Sequence, residues 1–354
     1  MNIITPINQL GYGVAGLNIL KGLDEKIKTS LFMIGQPQVT NQQDADIVSK
    51  CINNAHFFDP NAKCLRIWHQ NDMSQFVGRN ERIGFPFFEL NKFSEIEKHH
   101  LNSVDRIFVA SSWAKSICED QLNLDADKIN VIPLGVDDTI FKPCDISDSE
   151  KTIFFNCGKW EIRKGHDLIP ELFLKAFDQE DDVELWMMNS NPFLNKEETE
   201  AWHKMYLNNK LANKIKLLPR VNTQQEVYNI MKEVDCGIFP SRAEGWNLEL
   251  LELLACGKHV ITTNYSAHTE YCNRSNSMLV DITNLSPAKD DKWFDGKIGE
   301  WADISFKQKN EFIQLLRNFY EQKKSGKLQT NEEGIKTSRE FTWSHTSKKI
   351  LHYV

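Results

Sequence analysis

No hydrophobic run in this sequence approaches the length of a membrane span. The opening, Met1-Asn2-Ile3-Ile4-Thr5-Pro6, has no basic n-region and no extended apolar h-region, so it does not read as a signal peptide. Positive charge is not in surplus. There are 42 Lys and Arg against 49 Asp and Glu, a net charge of -7, and the first 150 residues carry about -6 of it. Such a chain offers no broad basic stripe to nucleic acid or to an anionic membrane, although a local basic groove stays open. None of the 8 cysteines forms a CxxC pair, and several lie inside apolar runs, as in Phe155-Asn156-Cys157 and Asp235-Cys236-Gly237-Ile238. They read as buried free thiols of a reducing compartment rather than as disulfides or zinc ligands. No His and carboxylate cluster has metal-ligand spacing. These absences lead us to expect a cytoplasmic protein with no transmembrane segment, no resident metal and no cofactor.

What the chain does have is length and rhythm. Its 354 residues are too many for one ordinary core, and 41% hydrophobic content can fill two. Short apolar segments near 2–7, 30–34, 65–69, 83–88, 106–110 and 129–134 alternate with helical patterns near 14–24, 44–54, 94–101 and 112–122. The rhythm pauses at Ile132-Pro133-Leu134-Gly135-Val136 and an acidic stretch, then restarts. Apolar segments follow near 152–157, 183–188, 214–218, 235–239, 259–263 and 277–281, with helices near 165–177, 196–209, 223–233 and 247–256. This alternation predicts α/β architecture: two Rossmann-like domains, each a parallel sheet with helices on both faces, facing across a cleft. We expect an N-terminal domain over 1–147 and a C-terminal domain over 148–335. A terminal helical segment should fill 336–354. Residues 283–302 break the rhythm and read as a surface excursion.

The strongest local signal is Phe239-Pro240-Ser241-Arg242-Ala243-Glu244-Gly245-Trp246-Asn247-Leu248-Glu249-Leu250-Leu251-Glu252. A strand ends at Phe239, a polar loop follows, and a helix starts near Asn247, with Gly257 placed as its C′ residue. Free backbone N–H groups and a positive helix end there suit a phosphate. The helix is apolar on most sides, so Glu249 and Glu252 need water or partners; a solvated acidic stripe is the plainer reading. A second signal is Gly158-Lys159-Trp160-Glu161-Ile162-Arg163-Lys164-Gly165, a strand end, a basic loop and a helix opened by Gly165. Its cations suit a diphosphate; a solvated basic loop is the alternative. The third, Gly11-Tyr12-Gly13 after the first strand, fits either a loop approaching a donor phosphate or a plain tight turn. Asp44-Ala45-Asp46 and Asp125-Ala126-Asp127 have the form of a metal-binding D-x-D, but helix capping and a turn explain both.

Together these stretches resemble the large retaining glycosyltransferase family that includes bacterial mannosyltransferases and sucrose synthases (family four in the usual classification, with the two-domain GT-B fold). Glu244 and Glu252 hold the two positions of its E-x7-E signature. The resemblance implies that Glu244 faces the donor sugar and Glu252 holds the ribose hydroxyls. It implies too that Lys159, Arg163 and Lys164 clamp the diphosphate, Lys159 standing where an arginine is usual. Asn247 replaces the usual small residue. Val131-Ile132-Pro133-Leu134-Gly135-Val136-Asp137 with Phe141 and Pro143, Ala110-Ser111-Ser112-Trp113, and Phe341-Thr342-Trp343 resemble further family segments in the same order.

On this reading the donor is a nucleoside diphosphate sugar, held by Gly11, Gly13, Lys159, Arg163, Lys164, Ser241, Glu244, Gly245, Trp246, Asn247, Leu248 and Glu252. His69, Lys164 and Glu244 are the candidate catalytic residues. Tyr12, Phe88 and Glu89 are candidates for the pocket of a hydroxyl acceptor, and the last helix should cross back to the first domain. The activity implied is retaining, metal-independent glycosyl transfer. Alternatives are transfer to a nucleic-acid base, which the acidic first half disfavours, a nucleotide-sugar epimerase of similar fold, and a silent binding partner, against which the intact Glu244, Glu252 and Lys164 speak.

Overall fold

A computed structural model describes residues 1–147 and 149–354. The chain divides into two compact units. One comprises Met1–Gly135 with Phe341–Val354, the other Val136–Glu340.

The first unit runs β1 (Asn2–Thr5), α1 (Gly11–Asp24), β2 (Ser30–Met33), α2 (Gln42–Ala55), β3 (Cys64–Arg66), β4 (Arg82–Gly84), α3 (Glu95–Leu101), β5 (Arg106–Val109), α4 (Ser112–Gln121) and β6 (Ile129–Val131). All strand pairs are parallel, in the order β2-β1-β3-β4-β5-β6. Strands covered by helices on both faces read as short unbroken apolar runs, and β1 is buried along its whole length. Side-chain caps set the helix starts: Asn41 accepts from the Asp44 N–H, and Ser94 with Glu97 forms a capping box. Met73, Phe88, Phe93, Ile107 and Ile117 belong to its core.

The second unit runs β7 (Thr152–Gly158), α5 (Ile169–Ala176), β8 (Val183–Asn189), α6 (Lys196–Leu207), β9 (Ile215–Leu217), α7 (Gln224–Glu233), β10 (Cys236–Phe239), α8 (Leu248–Ala255), β11 (His259–Asn264), β12 (Met278–Asp281), a hairpin β13 (Leu285–Lys289) and β14 (Asp295–Ala302), then α9 (Phe306–Lys324) and α10 (Glu332–Glu340). Its six-stranded sheet is again parallel, ordered β12-β11-β10-β7-β8-β9. Phe154, Leu185, Tyr206 and Phe319 are among its core residues. The final helix α11 (Trp343–Leu351) belongs to the first unit, where the Thr346 hydroxyl donates to the Pro133 carbonyl and Lys63 donates to the Tyr353 carbonyl.

The order of strands locates the candidate site. In each sheet the chain starts in the middle, builds outward one way and then returns to build the other. Such a reversal leaves a crevice at the carboxyl ends of the two strands where it occurs. In the first sheet those strands are β1 and β3, followed by the loops of Gly11 and His69. In the second they are β7 and β10, followed by the loops of Lys164 and Glu244.

Three expectations change. Gly165 does not open a helix: its φ is +72°, Ile162–Leu168 forms turns, and α5 begins at Ile169 with a proline in its first turn. The stretch 283–302 is an antiparallel hairpin rather than an irregular excursion, and its base is bound by Ala302 N–H to the Arg242 carbonyl at 2.9 Å. The expected boundary at 147/148 involves Asp148, outside the described residues, while the units divide at Gly135/Val136. Gly135 stays with the first unit because Thr342 and Trp343 press on its Cα. The following segment joins the second through Phe141 against Tyr228 and Cys144 N–H to the Cys256 carbonyl. The later division falls at the end of α10, after Glu340, because that helix is continuous through 336.

Candidate active site

In the second unit, β7 delivers Gly158 and Lys159, and the turns after it bring Glu161, Arg163 and Lys164 against the loop that leaves β10. Arg163 is buried. Its guanidinium donates to Glu244 Oε2 at 2.8 Å, to Glu161 Oε2 at 2.6 Å and to the Ala243 carbonyl at 2.7 Å. Lys164 Nζ donates to Glu244 Oε1 at 3.0 Å, and Ser241 Oγ donates to the same oxygen at 3.0 Å. Lys159 pairs with Glu161 at 2.8 Å. The result is one ion network, Lys159–Glu161–Arg163–Glu244–Lys164, at the carboxyl edge of the sheet. Gly165 makes it possible: the backbone passes so close to Pro240 that a Cβ there would overlap the Pro240 carbonyl oxygen.

Burial works against the charge on Glu244, but Lys164 and then Arg163 overcome it and hold the carboxyl below the usual range. Burial also opposes the charge on Lys164; Glu244 outweighs it and raises the ammonium's pKa. Glu161 is lowered to about 2, again by cations that outweigh its burial. Glu252 is the opposite case. It is buried on α8, and desolvation first, then the nearby charges of Glu249 and Asp137, push its pKa well up. One carboxylate is fixed as an anion and the other is driven toward its neutral, proton-donating form.

Asn247 caps α8. Its φ is +82°, its Oδ1 accepts from the Leu250 N–H at 3.2 Å, and its amide nitrogen lies 3.0 Å from His268 Nε2. Because Oδ1 already serves as acceptor, the amide donates to Nε2, so Nδ1 carries the imidazole proton and faces the Thr263 carbonyl at 3.2 Å. Burial lowers the pKa of His268 to about 4. At the other end of α8, Gly257 N–H donates to the Leu254 carbonyl and Lys258 N–H to the Leu253 carbonyl, a Schellman turn with Gly257 at φ +73°. Trp246 is buried, and its carbonyl accepts from the Tyr271 hydroxyl at 2.9 Å. Gly245 is buried beside it, and Leu248 begins the helix.

In the first unit Tyr12, Phe87 and His69 come together. The Tyr12 ring stacks on Phe87 at 4.6 Å and packs against His69 at 4.7 Å. The Tyr12 hydroxyl donates to the Phe87 carbonyl and accepts from the Phe87 N–H, at 3.0 and 2.8 Å. His69 is exposed and lies beyond the end of β3. Phe88 does not line this group: it is buried against Phe93 at 4.8 Å, and its half-buried neighbour Phe87 takes the place beside Tyr12. Glu89 is close enough to reinforce the burial that raises the Tyr12 pKa. Gly13 is accounted for by the close approach of Asn8, whose backbone a Cβ would strike, whereas a Cβ on Gly11 would meet nothing.

Sequence reasoning missed Glu161, His268 and Ser266, whose hydroxyl accepts from the Glu244 N–H at 2.8 Å. Glu161 had a signal, an acid amid three cations. The other two reach the site from a segment more than twenty residues downstream, with no local mark. Neither D-x-D string joins a ligand cluster: Asp44 sits in the first turn of α2 and pairs with Lys21, Asp125 precedes and Asp127 lies within a short 3-10 turn over Ala126–Lys128, and among the described residues no group of three metal-ligating side chains forms. Among those residues, too, no helix is long and apolar enough to cross a membrane.

Residues 138–288 match the model of a protein family described as glycosyl transferases group 1. No curated protein sequence matches the chain. Solved structures do. HepE of Anabaena in complex with UDP-glucose is 14% identical, covers 100% of this chain and 99% of its own, and superposes with a TM-score of 0.69. A glycosyltransferase from Rickettsia africae is 16% identical, covering 99% and 97%, with a TM-score of 0.70. Sucrose-phosphate synthase from Thermosynechococcus elongatus is 12% identical, covering 99% and 97%, also at 0.70. At these identities the likeness is one of fold: two doubly wound sheets of the GT-B type.

Proposed function

We propose, from the match of residues 138–288 to the glycosyl transferases group 1 family, that the chain moves a sugar from a UDP-sugar to a hydroxyl acceptor with retention of anomeric configuration. One observation carries the reading. At the reversal point of the second sheet, Glu244 is held ionised between Arg163 and Lys164, next to the N-terminus of α8. UDP-glucose is the ligand of the Anabaena structure, which supports UDP as the nucleotide.

In this account the diphosphate lies across the start of α8, where the N–H groups of Leu248 and Glu249 and the helix dipole favour negative charge. Lys164 and Lys159 supply the countercharge. Arg163, bonded to Glu161, Glu244 and the Ala243 carbonyl, positions Glu244 beside the diphosphate. Glu244 orients the sugar hydroxyls. Glu252, its pKa pushed up by burial, serves the ribose. Ser241, Gly245, Trp246 and Asn247 set the loop. The first unit takes the acceptor at the carboxyl edge of its own sheet, where Tyr12, Phe87 and His69 meet and Glu89 lies close to Tyr12.

Retention by double displacement needs a carboxylate nucleophile at the anomeric carbon. Glu244 is immobilised by two cations and the Ser241 hydroxyl, which suits an orienting role instead. We therefore assign the one-face route. The bond from the anomeric carbon to the phosphate oxygen breaks as the acceptor oxygen bonds on the same face, and the departing phosphate takes the acceptor proton. Catalysis is then positioning plus stabilisation of the growing diphosphate charge. A thermal-shift screen of UDP-, GDP-, ADP- and dTDP-sugars tests the donor. A true donor at 100 times its Kd adds about 2.7 kcal/mol, and a screen in which no nucleotide sugar raises Tm would end the proposal.

A further inference from the structure

Seven of the eight cysteines are buried; Cys144 is half-buried. It lies in the segment that enters the second unit, against the end of α8. Its N–H donates to the Cys256 carbonyl at 3.2 Å, and its thiol reaches the same oxygen, also at 3.2 Å. The backbone bond and the thiol contact to one shared oxygen set the two cysteines side by side, the placement a disulfide with Cα atoms roughly 4.4–6.8 Å apart requires. Cys256 is itself fixed: it ends α8, its N–H donates to the Glu252 carbonyl, and the Schellman turn at Gly257 locks the next residue. Buried Lys258 ties both strands of chain together, donating to the Asp145 carbonyl at 2.9 Å and to the Lys232 carbonyl at 2.8 Å. Its positive charge works to lower the pKa of both thiols.

We propose that Cys144 and Cys256 form a redox-active dithiol that hydroperoxides oxidise, reversibly, to a disulfide. Nucleophilic sulfur is thiolate, favoured by neighbouring cations and partial exposure. The Cys256 thiol, hydrogen-bonded to Cys144, and then Lys258 and Lys232 outweigh burial and lower the Cys144 pKa. Burial raises the thiol pKa of Cys51, Cys64, Cys118, Cys157, Cys236 and Cys272. The chemistry balances. Cys144 thiolate attacks the peroxide, the O–O bond breaks, a sulfenic acid forms and hydroxide leaves. The Cys256 thiol then attacks the Cys144 sulfur, the S–S bond forms, the S–O bond breaks, and the second hydroxide leaves with the Cys256 proton as water. Both sulfurs are oxidised by one electron each and the peroxide is reduced by two. In a reducing compartment the resting state is the dithiol.

The test uses the reduced full-length protein and hydrogen peroxide, followed by alkylation and mass spectrometry. The expected product has lost two hydrogens, carries a Cys144–Cys256 cross-linked peptide, and returns to starting mass with dithiothreitol. In Cys256→Ser, Cys144 should instead accumulate sulfenic acid trapped by dimedone, and in Cys144→Ser the cross-link should vanish. Oxidation of Cys144 straight to sulfinic acid in the native protein, a cross-link between other cysteines, or no loss of hydrogen while free thiols elsewhere react would each overturn the proposal. The native-protein arm holds even if a variant fails to fold.

Discussion

Glu244 and Glu252 are identical side chains in one motif, yet their surroundings shift their pKa values in opposite directions, and that contrast yields separate predictions. Glu244→Ala leaves buried Lys164 without its hydrogen-bonded anion and Arg163 with Glu161 alone, which costs about 3–5 kcal/mol. The kinetic test uses Glu244→Gln, which keeps the side-chain shape while removing the charge and should lower kcat while changing donor KM little. Glu252→Ala should do the reverse, since ribose contacts are alike before and during reaction. Steady-state kinetics of the pair decide it, and a matching loss of kcat in both would remove the division of labour. Lys164→Ala should lower kcat by roughly 100-fold or more, because the diphosphate charge it meets grows in the transition state; a normal kcat with only a raised KM would sink that role. A further prediction concerns His268, lowered to about 4 by burial, and His166, lowered to about 3. Both stay neutral in the folded chain while an unfolded histidine protonates near 6.5. Between those values the unfolded state binds more protons, so stability is present above pH 6.5 and is lost as pH falls toward 4. The slope should be about 1.4 kcal/mol per pH unit for each histidine. Urea unfolding at several pH values should show it, reduced by one histidine's share in His268→Gln.

Among the elements, α8 and the two loops that meet beside it set the site. Asn247 stands in left-handed backbone where the resembled family has a small residue, and the amide side chain compensates by capping the helix and contacting His268. Asn247→Gly keeps the conformation and loses the cap, a change of a few tenths of a kcal/mol at a helix start. Asn247→Ala loses the cap and strains the backbone, so it should cost about 2 kcal/mol. Chemical denaturation of the two variants checks the order; an alanine variant as stable as the glycine one would refute it. Gly165 is more stringent, since any Cβ there meets the Pro240 carbonyl and the loops of Lys164 and Glu244 could no longer touch. Much of this was legible in sequence. The twelve strands of the parallel sheets lie where apolar runs were read, because a strand covered on both faces has no other composition. The E-x7-E loop was read correctly as strand, polar loop and helix. The helix assigned to Gly165 was not, because a glycine after cations looks the same whether it opens a helix or makes a left-handed turn. Nor was Phe88, since in Phe87-Phe88 composition cannot say which ring faces the core.

For the whole molecule, two doubly wound units explain why candidate residues collect at two sheet edges rather than along the chain. The strand rhythm revealed both sheets, while Ser266 and His268 reach the Glu244 loop only through the packing of β11 against β10 and left no trace in local sequence. On the proposed reading, charge on the donor diphosphate would be met by Lys159, Lys164 and the start of α8, so activity should survive EDTA; loss on chelation with recovery on Mn2+ would return the D-x-D strings to consideration. The central claim is glycosyl transfer with retention from a nucleotide sugar held by the second unit. Proton NMR of UDP-α-glucose with the full chain, followed in real time, tests it most directly. The account predicts UDP release with the first-formed sugar product, transferred or hydrolysed, in the α configuration, and a rate that collapses in Lys164→Ala. A first-formed β product, or turnover at the same rate without Lys164, would contradict it.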